Sequence, residues 1–211
     1  MKYLFIAISL LYLTSGCSTS NSKENATHQC ISPLGLNTPI DSTLNNSTIA
    51  AAFNVNDFNW QEGKLSITVY HEYIYDAVAV SQMQMGDTII YEDTAIPIDS
   101  VKVTDKFVII NGGIEQGGTE LCPYEGGTYR AVSLDDHSVY KEIGKANVTL
   151  PKDFTLIDCG ENPTDPCDTI CAGQKAYINQ LPEHRQNFNP LNTRIRIEKG
   201  IVKEINRRWI P

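Results

Sequence analysis

From Lys64 to Asp76 the chain reads KLSITVYHEYIYD, and this alternation is the feature that most constrains its fold. Leu65, Ile67, Val69, His71 and Tyr73 fall on one face of an extended segment; Ser66, Thr68, Tyr70, Glu72 and Ile74 fall on the other. Successive side chains of a strand point to opposite sides, so a period of two writes one half-buried β-strand. The β-branched and aromatic content agrees with that reading. Nothing in the rest of the chain offers a helical stripe of comparable strength.

The segments around it repeat the theme on a shorter scale. Ile89-Ile90-Tyr91 is a brief strand, Glu92-Asp93 a turn, and 95–103 a return strand that Pro97 keeps at an edge or bulge, because proline cannot donate to a ladder. KFVII at 106–110 is another strand. The glycine pairs 112–113, 117–118 and 126–127 punctuate the next stretch, with TELCPY and TYRAVSL expected to form a hairpin. Residues 145–150 and 154–157 read as two further short strands, 158–173 as a loop, and 174–187 as the only sizeable helix, limited by Pro182. TRIRIE, Lys199-Gly200 and IVKEINRRWI close the chain as a hairpin, with Gly200 supplying positive φ. The expected fold is mainly β: a single domain of short antiparallel strands, a small barrel or curled meander, with a C-terminal hairpin and at most one short helix. Residues 49–58 (IAAAFNVNDF) open this domain as a helical turn or an edge strand, so the domain spans 49–211.

The first residues are of another kind. MKYLFIAISLLYLTSGC has a basic Lys2, an apolar run over 4–13, small residues, and then Cys17. A run of that length suits the core of an export signal and is too short for the roughly 20 residues of a bilayer span. The LTSGC ending resembles the lipobox of bacterial lipoproteins, with Leu13 four residues before the cysteine rather than three. That resemblance covers the signal alone. It implies cleavage after residue 16, diacylglycerol with palmitate-type chains on the Cys17 thiol, and a chain exported and lipid-anchored to the cell envelope. Residues 17–48, polar and rich in Ser, Thr and Asn, then read as the lipidated cysteine and a flexible tether.

Export places the remaining cysteines where oxidation is favoured. Cys30, Cys122, Cys159, Cys167 and Cys171 are candidate disulfide partners. Cys159 suits either Cys167 or Cys171, and Cys30 with Cys122 supplies another candidate bridge. The C-x7-C-x3-C spacing lacks the close pairs of a zinc site, and the acids Asp158, Glu161, Asp165 and Asp168 do not follow an EF-hand loop. No metal or cofactor is therefore expected.

Charge is uneven. The net charge is -8, yet residues 184–211 carry seven basic and two acidic side chains. Arg194, Arg196 and Lys203 on the closing hairpin form a candidate patch for an anionic glycan or a lipid headgroup. The acidic remainder argues against nucleic acid as a partner. The four histidines, His28, His71, His137 and His184, sit in no nucleophile frame. The glycine pairs precede neither a helix pattern nor a Lys-Ser/Thr, so no phosphate loop or dinucleotide fingerprint is present. No catalytic residue is identified. The reading is an anchored binding or structural module, with the membrane as one partner and an envelope glycan or protein as the other. The alternatives are an envelope hydrolase with an unrecognised site and a disulfide-stapled secreted inhibitor or interaction domain.

Overall fold

A computed structural model describes residues 28–210. The expected export signal, Cys17 and residues 18–27 of the expected tether lie outside the described residues.

The alternating segment does become a strand, Lys64–Glu72, whose Leu65, Ile67 and Val69 are buried. It sits near one end of a large sheet. Its neighbours run in the order Tyr140–Thr149, Lys64–Glu72, Ser47–Asn54, Thr193–Glu198, Ile201–Arg207, Thr155–Cys159 and Cys167–Ile170. Two short strands, Phe58–Asn59 and Asn187–Phe188, pair onto this path. One parallel bridge, Thr149 to Ile201, ties the first strand of the series to the fifth. The sheet thus curls around its apolar face without forming a closed barrel. Register irregularities between Glu142 and Gly144, and between Arg196 and Ile197, bend the strands where the curl requires it. The enclosed core joins Ile49, Ala51, Phe53, Leu65, Ile67, Val69, Val148, Phe154, Leu156, Ile195, Ile197, Val202 and Ile205. The short helix Gln174–Asn179 adds Ile178 to this core.

At Tyr73 the chain leaves this sheet and enters a second core. The strand Ile74–Asp76 pairs with Thr128–Val132, which continues to Thr119–Tyr124, Val108–Ile110 and Val101–Val103. A three-stranded sheet of Cys30–Ile31, Thr88–Tyr91 and Thr94–Pro97 packs on the same core. Here the interior is tyrosine-anchored. Tyr75 donates from its hydroxyl to the Ile90 carbonyl at 2.8 Å, and Tyr73 lies against Asp93. A buried tyrosine needs such a partner, since an unpaired hydroxyl away from water is costly. Burial pushes the Tyr73 hydroxyl up to about 12, with the Asp93 charge adding to the shift.

The mainly β reading holds, and the C-terminal hairpin is present, turning at Lys199 and Gly200, both at positive φ. The TELCPY/TYRAVSL hairpin is present too. Several details differ. Residues 47–54 form a central strand, not a helical turn or an edge, paired on one side with Lys64–Glu72 and on the other with Thr193–Glu198. The fold starts before residue 49: Ile31 is buried in the second core, and the carboxylate of buried Asp87 accepts from the Gln29 backbone N–H at 2.9 Å. Residues 29–31, inside the span expected to be tether, therefore belong to the folded structure. Among the described residues three α-helices of four to six residues occur where at most one was expected, Ile40–Thr43, Ala77–Ser81 and Gln174–Asn179. The presumed loop at 158–173 contains the edge strand Cys167–Ile170.

Candidate functional site

The outer face of the curled sheet carries the residues that alternate with the core. On Ser47–Asn54 these are Thr48, Ala50, Ala52 and Asn54; on Lys64–Glu72 they include Ser66, Thr68 and Tyr70. Register then decides which of them meet. Ala52 lies opposite Thr68, Thr68 opposite Lys145, Ser66 opposite Asn147, and Asn54 opposite Asn187. The small side chains at 52, 66 and 68 leave a depression, and longer ones stand around it. The result is an open groove of about 520 Å³ crossing four adjacent strands.

The rim is held by its own hydrogen bonds. Asn54 Nδ2 donates to Asn187 Oδ1 at 2.6 Å, and Ser66 Oγ donates to Asn147 Oδ1 at 2.6 Å. Asn54 also opens the 3-10 turn Val55–Asp57: its side chain accepts from the Asn56 N–H, and its own N–H donates to Asp57 Oδ2 at 2.6 Å. This reciprocal capping fixes one wall. With Oδ1 engaged, Asn147 and Asn187 keep their Nδ2 donors for a ligand. Lys145 and Asp57 are the two charged lining residues, one of each sign.

Beneath the groove the support is aromatic and ionic. Phe53 stacks on Phe188 with ring centroids 4.4 Å apart, and the Arg207 guanidinium lies 4.4 Å from the Phe188 ring. Arg207 Nε donates to Asp158 Oδ1 at 2.7 Å; Arg185 Nη2 donates to the same oxygen at 2.6 Å, and the Tyr177 hydroxyl to Oδ2 at 3.0 Å. Asp158 is wholly buried, so this carboxylate is fully paired inside the protein. Burial, followed by the Asp158 charge, pushes the Tyr177 hydroxyl up to about 12.

Of the three basic residues expected to form a patch, the structure brings two into one groove and commits the third elsewhere. Arg194 is committed locally: it donates to the Tyr140 hydroxyl and the Pro190 carbonyl, and its guanidinium is 3.8 Å from Glu72. Arg196 pairs with Glu198 two residues along its own strand. Lys203 sits at the register irregularity and lines, with Arg196, Lys199 and Ser47, a second groove of about 580 Å³. Arg194 is not among the residues lining that groove.

Among the cysteines, Cys159 and Cys167 form a disulfide across a directly opposed pair of strands. Cys30, Cys122 and Cys171 are free thiols among the described residues, so the Cys30–Cys122 bridge is not formed. Cys30 lies on the strand paired with Thr88–Tyr91, whereas Cys122 lies opposite Arg130 in another sheet. Of the acids in that region, Asp165 accepts from the Glu161 and Asn162 N–H groups, and Glu161 meets His184. The groove residues carry no motif in the sequence. Asn147 lies in a segment expected only as a strand and Asn187 at the end of the expected helix, and Asn54 and Asn187 are 133 positions apart. No family model matches the chain, and comparison with curated proteins and with solved structures finds no match.

Proposed function

We propose that this protein is an envelope-tethered binding module, anchored through Cys17 and presenting the outer-face groove to a ligand. The observation that supports it best is the depression over Ala52, Ser66 and Thr68, with its pre-set rim of Asn54, Asn147 and Asn187. A rim already hydrogen-bonded in its working geometry loses little freedom when a ligand arrives. A purely structural module would have no need of such a depression in its exposed face. The lipobox-like LTSGC supports the anchor. Once acylated, Cys17 holds the domain at a membrane surface, because several acyl chains together bind far more firmly than one.

Two measurements test the halves of this reading. Membrane fractionation of Cys17→Ala should release the protein; unchanged partitioning contradicts the anchor. For binding, the full chain with Thr68→Trp, which fills the groove, should lose retention of labelled envelope components that the native chain captures. If native and filled proteins capture the same components equally, the groove is not the binding surface.

A further inference from the structure

We infer that the groove takes a neutral oligosaccharide laid across the strands, an inference that rests on the binding-module reading above. The chemistry of the lining leads to it. Asn147, Asn187, Ser66 and Thr68 are amides and hydroxyls. Each of these groups both donates and accepts, as every sugar hydroxyl does. The one lysine and one aspartate offset each other, so an anionic polymer gains little at the groove, and it approaches a chain of net charge -8. The floor supplies the methyl groups of Ala52 and Thr68, apolar contact for the C–H side of a sugar ring.

Other ligand classes fit less well. An extended peptide binds a sheet by adding to an edge, but the floor strands here are paired on both sides: Thr68 lies between Ala52 and Lys145. Single-stranded nucleic acid relies on exposed aromatic faces, whereas Phe53 and Phe188 are buried at 6% and 2%. A lipid tail would require an apolar lining, and the amides deny it one. Four adjacent strands at their normal spacing span about 14 Å, room for roughly two to three sugar rings.

The test is an array of neutral and anionic oligosaccharides probed with the full chain in detergent. Maltotetraose and chitotetraose serve as the neutral probes and an alginate tetramer as the anionic one. A neutral probe should bind. Asn147→Ala and Asn187→Ala should each weaken it by roughly three- to tenfold, the loss of about one hydrogen bond. Both residues are exposed, so thermal melting should stay unchanged. Asn46→Ala, in the second groove, should leave binding intact. Binding confined to the alginate probe overturns the neutral-sugar inference, as does neutral binding that both asparagine variants retain. No binding to any sugar, while Thr68→Trp still abolishes envelope capture, overturns the sugar inference and leaves the binding module standing. Loss of both ends both readings.

Discussion

The two faces of the curled sheet are made by the same strands and behave as two different materials. The inner face is aliphatic and phenylalanine-rich, with Leu65, Val69, Ile195 and Ile205 fully excluded from water. The outer face is a mosaic of small and polar residues whose properties depend on which strand lies alongside. Inside, identity matters mainly as volume and apolarity, so many substitutions share one consequence. Outside, a residue acquires meaning only through its cross-strand neighbour: Asn147 matters because Ser66 faces it. Charge follows the same rule. Arg194 and Arg196 are conspicuous in the sequence but are committed to neighbouring partners, whereas the register assembles a groove whose one lysine and one aspartate offset each other.

The sharpest way to break this comparison is at the charged exception on the inner side. Asp158→Ala would leave Arg207 buried without its carboxylate, and denaturant unfolding should show a loss of about 3–5 kcal/mol. A loss below about 1 kcal/mol would mean that the ion network does not brace the face behind it. Next is the aliphatic interior. Ile195→Ala should cost about 2–5 kcal/mol by creating a cavity, without altering which ligand binds. A change in ligand preference at unchanged stability would reverse the roles assigned to the two faces.

Removing the Cys159–Cys167 bridge with a double serine variant should cost about 2–3 kcal/mol, from the entropy of a short closed loop. Because the bridge staples an edge hairpin rather than the groove, sugar affinity should persist while the melting temperature falls. A smaller effect belongs to Asp87 in the second core. Burial alone would raise its carboxyl, but hydrogen bonds from the Gln29 and Gln84 N–H groups and the Gln29 amide, with help from His28, outweigh burial and hold it below the usual range. A lowered folded pKa contributes stability above the ordinary aspartate value of about 3.9. That contribution is lost as pH falls through the folded value. Denaturation midpoints measured between pH 6 and pH 3, ordinary assay limits of roughly that span, should therefore fall more for the native chain than for Asp87→Asn. Equal acid slopes would remove Asp87 from the account. The smallest stability effect is expected outside: Asn147→Ala should stay within about 0.5 kcal/mol.

Most of the inner face was legible in the sequence, for a physical reason. Burial on one side of a strand writes itself as alternation, so Leu65, Ile67, Val69, Ile195 and Ile197 could be placed before any fold was known. The central strand at 47–54 escaped because Ala50-Ala51-Ala52 has no alternation to write; alanine fits either face. The same smallness at Ala52 then makes room for the groove. The groove itself was not legible, since its rim is assembled by pairings between residues as distant as Asn54 and Asn187. The ten tyrosines of the chain carry no sequence signal of which way they face. Tyr73 and Tyr75 turn inward to fix the second core rather than outward to meet a partner.

The central claim is that the outer face recognises a ligand through the amides the register brings together. The most direct measurement is a titration of the side-chain NH2 resonances of the asparagines with the neutral tetrasaccharides. Saturable shifts are expected at Asn147 and Asn187, with Asn46 and Asn192 unmoved. Shifts spread evenly over all asparagines, or confined to Asn46 beside Arg196 and Lys203, would contradict it.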